Sequence, residues 1–254
     1  MNTPNSQNKA YLRVQGCTKQ FSGLIAVHNV NLEVSRGEMV GLIGPNGAGK
    51  TTLLNLVAGT LPVTRGEIIL GDTIVTGMKA HQRVKVGIGR TFQIPKPFAA
   101  MTVYEHVEIA ALFGSGNKIP LRKLNEKVDE VLEKTGMVRQ SRRVVTELNL
   151  GERKRLELAK ALATQPTLLL LDEVMAGLNP RQALDVIKII RQVHESGVTV
   201  ILVEHIMRIT MEISQRIVVM HHGEKIAEGV PKEIIRDRAV VEAYFGLRYA
   251  SRFI

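Results

Sequence analysis

One cysteine, no tryptophan and an aromatic content of 4% set the first bounds on this chain of 254 residues. With Cys17 alone, no internal disulfide can close and no cage of thiolates can hold a metal, which fits a reducing compartment. Long apolar runs are missing too. Runs such as Leu168–Leu171 and Val198–Val203 fall far short of the roughly 20 residues a membrane-spanning helix needs. The opening MNTPNSQNK lacks the apolar stretch of a secretion signal, so residues 1–9 are expected to form a disordered tail. Nor is there a block of one charge. The net charge of +10 suits an anionic ligand or membrane surface, but the basic residues are scattered and form no nucleic-acid arm.

What is present is an alternation of strand-like and helix-like stretches. Leu12–Val14, Asn31–Val34, Met39–Ile43, Glu67–Leu70, Leu168–Asp172, Val198–Glu204 and Ile217–Met220 read as strands. The apolar run Leu168–Leu171 and the nearly continuous one Val198–Val203, broken only by Thr199, predict strands buried on both faces, as in a parallel sheet covered by helices. Val218–Gly229 predicts a hairpin turning at His222-Gly223. Between Thr102 and Val145 the pattern turns helical, with Val103, Val107 and Ala110 at helical spacing and then Leu124, Val128, Val131 and Leu132. This region, about 100–160, is expected to be a helical lobe inserted into the sheet domain.

The most informative segment is Gly44-Pro45-Asn46-Gly47-Ala48-Gly49-Lys50-Thr51, which matches the phosphate-cradling pattern G-x-x-x-x-G-K-[ST] without a mismatch. The apolar run Met39–Ile43 precedes it. A helical stretch, Thr51–Ala58, follows and is closed by Gly59. Glycines let the main chain approach an oxyanion, successive N–H groups point inward, and the helix N-terminus adds positive potential. Lys50 is then placed for the β/γ-phosphates of a nucleotide and the Thr51 hydroxyl for Mg²⁺, with Thr52 beside it.

Two further strands end in polar residues. Leu168–Leu171 runs into Asp172-Glu173, and Val198–Val203 into Glu204-His205. In open parallel sheets the ligand crevice lies at the carboxyl ends of strands, so these groups are expected to converge with the phosphate loop. Asp172 then supports Mg²⁺, Glu173 takes a proton from the attacking water or orients it, and His205 donates to the γ-phosphate. By itself an Asp-Glu pair after a strand is more often a helix start than a catalytic pair. The intact loop upstream is what favours chemistry.

From about Tyr11 to Gly246 the chain resembles the ATP-binding subunit of an ABC transporter. Gln93, in Arg90-Thr91-Phe92-Gln93, resembles the Q-loop glutamine, which in that family touches Mg²⁺ and water. Leu148-Asn149-Leu150-Gly151-Glu152 stands where the LSGGQ signature belongs, Ala176-Gly177-Leu178-Asn179 resembles the D-loop, and His205 the switch histidine. Phe21 falls where the family stacks an aromatic on adenine. The resemblance implies a P-loop (RecA-like) α/β core with a mainly parallel sheet, an N-terminal antiparallel β subdomain and the helical insertion. It also implies one ATPase domain over 10–246, with 247–254 as a tail. Two such subunits close head to tail around two ATP molecules, so that Asn149 and the Gly151 N–H of one bind the γ-phosphate held by the other. Five residues depart from the family pattern. Asn149 replaces serine, Leu150 glycine, Glu152 glutamine, Val174 proline and Asn179 aspartate.

The stretches Ile94-Pro95-Lys96-Pro97-Phe98, Phe21–Val27, Leu171–Pro180 and Val241–Gly246 resemble the ATPases of branched-chain amino acid importers. That implies a second ATPase subunit, identical or not, two integral membrane permeases and, indirectly, a periplasmic or extracellular solute-binding protein. The place of action is then the cytoplasmic face of the membrane, and nucleic acid is no partner. The helical lobe and Ile94–Met101 are the expected contact with the permeases. The ATPase of a lipopolysaccharide exporter and a soluble ABC-type ATPase are the alternative readings.

Overall fold

The computed structural model describes residues 10–92, 98–114, 116, 119–204 and 207–245. The tails 1–9 and 247–254, Gln93, His205 and the stretch 94–97 lie outside them. Along the chain run β1 (Ala10–Phe21), β2 (Leu24–Ser35), β3 (Met39–Ile43), α1 (Lys50–Ala58), β4 (Arg65–Leu70), β5 (Thr73–Ile74), α2 (Ala80–Lys85), β6 (Ile88–Arg90), α3 (Val103–Gly114), α4 (Leu124–Lys134) and α5 (Leu150–Ala163). They continue with β7 (Leu168–Asp172), α6 (Pro180–Glu195), β8 (Thr199–Val203), α7 (Met207–Ile213), β9 (Arg216–His221), β10 (Glu224–Gly229), α8 (Pro231–Ile234) and α9 (Arg238–Phe245). These elements form two compact units. One holds the described residues up to Met78 together with those from Met207 onward, the other those from Lys79 to Glu204.

In the first unit, β1 pairs antiparallel with β2 and β4, and β5 adds to β4. Both long strands outrun the short apolar segments expected from the sequence. The reason is a bulge on each. Gly16 on β1 and Asn29 on β2 take positive φ, the register shifts between Val14 and Cys17, and the alternation of buried side chains changes phase. Ser22-Gly23, both at positive φ, turn β1 into β2. All five residues of β3 are buried. It runs parallel to β9, and β9 folds back on β10 through His222-Gly223, at φ 47° and 82°, the hairpin foreseen in the sequence. Ile43, Ile217, Val219, Ile234 and Val240 pack together as this unit's apolar cluster beside β3.

In the second unit, β6, β7 and β8 are parallel neighbours, and every residue of β7 and β8 is buried. The three residues of β6, with Gly89 at the centre, are too short and too glycine-interrupted to read as a strand in the sequence. Helices α3, α4 and α5 share one core. Val103, Val107 and Ala111 meet Val128, Val131 and Leu132, and Leu156, Ala159 and Ala163 close it. Helix α6 buries Ala183, Val186, Ile187, Ile190 and Val193 at helical spacing. Among the described residues no helix is long and apolar enough to cross a membrane.

Candidate active site

The phosphate-loop segment leaves β3 at Gly44, where φ is 151° and a Cβ would lie 2.1 Å from the Met220 carbonyl oxygen. Only glycine fits. Pro45, Asn46, Gly47 and Ala48 carry the chain round to Gly49, the left-handed N-cap of α1. This cap offers no side-chain acceptor, and the first turn of α1 has no acidic residue. The helix start therefore presents N–H groups and a positive end that no acidic residue of its own first turn offsets. Lys50 is buried and curls back into the loop, its Nζ donating to the carbonyls of Gly44 (2.8 Å) and Pro45 (2.9 Å). Thr51 and Thr52 follow in the first turn, half-buried. Leu53, Leu54, Leu56 and Val57 anchor the helix, and Gly59 ends it in the left-handed conformation. Burial raises the pKa of Tyr244 on α9, and its hydrogen bond with the Gly44 backbone opposes that shift. Phe21, 40% exposed at the end of β1, has Lys19 Nζ 4.9 Å from its ring centre.

In the second unit Asp172 ends β7, wholly buried. Its N–H donates to Thr91 Oγ1 at 3.2 Å, and its Oδ2 accepts from Arg90 Nη2 at 3.2 Å. Burial lowers the pKa of Arg90, against the charge and hydrogen bond of Asp172. Glu173 follows at φ 52°. This left-handed backbone costs a non-glycine residue about 1–3 kcal/mol and persists only where the surroundings hold it. Here the Glu173 N–H donates to the Val203 carbonyl (2.9 Å), and its own carbonyl accepts from Lys154 Nζ (2.9 Å). Two residues on, the Met175 N–H donates to Glu204 Oε1 at 2.9 Å. Burial lowers the pKa of Lys154, and Glu204, Glu173, Asp172 and Glu157 pull it back up.

The departures around Asn149 have a structural account. Asn149 caps α5. Its Oδ1 accepts the Glu152 N–H (3.0 Å), and Glu152 Oε2 accepts the Asn149 N–H (2.9 Å), a reciprocal capping box. The amide Nδ2 of Asn149 remains a donor. Glu152 Oε1 also accepts from Gln140 Nε2 and Arg143 Nη1, each at 3.1 Å. Burial pushes the Glu152 carboxyl up, but these bonds and the nearby arginines prevail and hold it below its ordinary value. Asn179 repeats the device on α6, with Gln182 as its partner and Pro180 in the first turn. The two capped ends abut, since a Cβ on Gly151 would meet Gln182 Nε2 at 2.6 Å. Leu150, 48% exposed, lies over Gly177. Asn caps thus explain Asn149 and Asn179, and charge pairing explains Glu152.

Residues 27–176 match the family described as ABC transporter, and residues 224–249 match that described as branched-chain amino acid ATP-binding cassette transporter. The chain belongs to the ABC transporter family. It is an ATPase subunit with the P-loop fold. It is 39% identical over 248 residues to the high-affinity branched-chain amino acid transport ATP-binding protein LivG of Escherichia coli K12, covering 92% of this chain and 97% of that protein. It is 34% identical over 237 residues to the lipopolysaccharide export system ATP-binding protein LptB of the same organism, covering 93% and 98%. The ADP conformation of MJ1267, an ATP-binding cassette of an ABC transporter, superposes with a TM-score of 0.82 at 30% identity, covering 94% of this chain and 100% of that one.

Three polar residues of the cassette escaped the sequence reading. Arg90 ends a strand too short to see, and its partner Asp172 lies 82 residues away. Glu204 was seen only as the neighbour of His205. Lys154 sits in Glu152-Arg153-Lys154-Arg155, a run that reads as a solvated face. One signal could have found it, the phase of α5. Gly151, Lys154, Leu158 and Ala161 recur on one buried stripe.

Proposed function

We propose that this ATPase subunit powers the import of branched-chain amino acids or a related small solute. The observation that carries the cargo class is the match of residues 224–249 to the branched-chain cassette family. The greater similarity to LivG than to LptB favours import over export. In this reading 10–246 is one ATPase domain with the helical segment at about 100–160 inserted. It pairs with a second ATPase subunit beneath two permeases, fed by a solute-binding protein, at the cytoplasmic face of the membrane. A groove of about 310 Å³ supports the permease contact. It is lined by Met101, Ile109 and Lys160 with the exposed rings of Phe98 and Phe113, an apolar surface of the sort that marks a partner site.

Lys50 and the α1 N-terminus hold the triphosphate, Phe21 the adenine, and Asn149 and Gly151 the γ-phosphate of the partner's ATP. Among the described residues no cluster of His, Cys, Asp or Glu could cage a metal alone. Thr51 and Asp172 offer hard oxygen donors, and Mg²⁺ typically binds through one or two such groups plus substrate phosphates, so the residues fit the ion. Bound Mg²⁺ supplies neutralisation of phosphate charge. Glu173 accepts the proton of the attacking water, and Gln93 and His205 complete the polar set.

Tagged subunit extracted gently from native membranes is expected to carry two polytopic proteins and a second ATPase. Vesicles holding that complex, loaded with ATP and given the associated binding protein outside, should accumulate labelled leucine or a related solute. A soluble homodimer without membrane subunits would overturn the transport reading.

A further inference from the structure

We propose that Lys154 is a positioning residue for ATP hydrolysis. Its ammonium fixes the strained backbone of Glu173 and so ties the head of α5 to the general base of the same subunit. This rests on the reading of Glu173 as the base.

Lys154 is 5% exposed, on a helix whose other cations, Arg153, Arg155 and Lys160, are only half-buried. A buried ammonium is unfavourable unless it is paired and hydrogen-bonded. This one is used. Its Nζ donates to the Glu173 carbonyl at 2.9 Å, 19 residues along the chain, and it lies in the field of Glu204, Glu173, Asp172 and Glu157. Glu173 holds φ 52°, a conformation that relaxes when its restraints are cut. Its N–H is fixed to Val203 at the end of β8, and Glu204 fixes the Met175 N–H just beyond it. The charged grip on the Glu173 carbonyl comes from α5. Without Lys154 that carbonyl loses its charge-assisted donor, the backbone can rotate toward commoner φ values, and the carboxylate swings with it. Nucleotide binding uses other residues and should persist. One turn before Lys154, the head of α5 carries its cap Asn149 and Gly151, so a shift of this end on meeting the partner's ATP is passed by Lys154 to Glu173.

The test uses the full-length chain with the transporter subunits that purify with it, measuring kcat, KM and the affinity for ATP. Lys154→Met, which keeps the apolar stem, should lose about 100-fold in kcat, the scale of a misplaced catalytic group. Its ATP affinity should stay within about 3-fold, since binding and chemistry separate in such a variant. Lys154→Arg, which keeps the charge, should recover to within about 10-fold of wild type. In a Glu173→Gln background Lys154→Met should cause no further loss, because the group it positions is gone. If Lys154→Met does not fold, the charge-balanced Lys154→Met/Glu204→Gln variant takes its place with the same expectation. Turnover within about 3-fold of wild type in a folded Lys154→Met or double variant, or affinity falling in step with kcat, overturns the proposal. So does failure of all of these variants to fold, Lys154→Arg included, which would assign Lys154 to stability alone. Wild-type turnover in Glu173→Gln alone is a different failure. It removes Glu173 as base, and the present inference falls with it.

Discussion

Gly151 at the head of α5 lies against Gln182 at the head of α6, so close that a Cβ on the glycine would stand 2.6 Å from Gln182 Nε2. Gln182 is the far end of a flexible side chain, but it is not idle. Its Oε1 accepts the Asn179 N–H and completes the α6 capping box. A methyl group at Gly151 therefore has room only if that cap gives way.

Gly151→Ala is accordingly expected to cost about 0.5–2 kcal/mol, the value of an N-cap, and to lower Tm by about 2–4 °C per kcal/mol. It should also weaken ATP-driven pairing of subunits, because the added Cβ displaces the backbone around the proposed γ-phosphate donor, the Gly151 N–H, which alanine retains. Thermal melts and size-exclusion chromatography with ATP check both. Unchanged melting with full dimer formation would show that Gln182 moves aside freely.

Lys50→Ala should abolish ATP binding, with affinity at least about 100-fold weaker by calorimetric titration, since a buried charge-assisted contact to phosphate is lost. Lys50 Nζ now bonds the Gly44 and Pro45 carbonyls, so the variant also loosens the loop. Near-normal affinity would end the assignment of the phosphate loop.

His106 predicts an acid-side loss of stability. The Phe98 N–H donates to its Nε2 at 3.0 Å, so that nitrogen must be unprotonated, while Nδ1 faces the Thr102 carbonyl at 2.8 Å. Burial lowers the pKa of His106. Lys160 adds to the shift, while the Thr102 hydrogen bond, Glu157 and Glu105 oppose it. Because the folded value lies below the unfolded value of about 6.5, this contribution is fully present above pH 6.5. It is lost as pH falls through the lower folded value, where only the unfolded chain takes up the proton readily. Wild type should therefore lose Tm between pH 7.5 and 5 relative to His106→Gln, the loss setting in as pH falls below about 6.5. Parallel Tm–pH curves would refute the mechanism.

Much of the cassette was legible because it is local. Eight consecutive residues spell the phosphate loop, Gly59 stops α1, and His222-Gly223 turns β9 into β10. The consecutive apolar residues Leu168–Leu171 and Val200–Val203 mark β7 and β8, since a strand buried on both faces has no need of alternation. The lengths of β1 and β2 were hidden by bulges at Gly16 and Asn29 that break the period of two. Strand β6 is hidden by its shortness.

By itself the sequence determined the buried strands β3, β7, β8 and β9, the periodic faces of α3 and α4, and the residue types of the phosphate-loop pattern, because backbone preference and periodicity act within a few residues. Tertiary structure alone decided which charges are buried and whom they meet. Arg90 reaches Asp172, Lys154 the carbonyl of Glu173, and Glu204 the Met175 N–H, across separations of 82, 19 and 29 residues. Composition assigns such side chains to solvent. Packing removes the water, and a desolvated charge must then find its partner in whatever the fold has brought beside it.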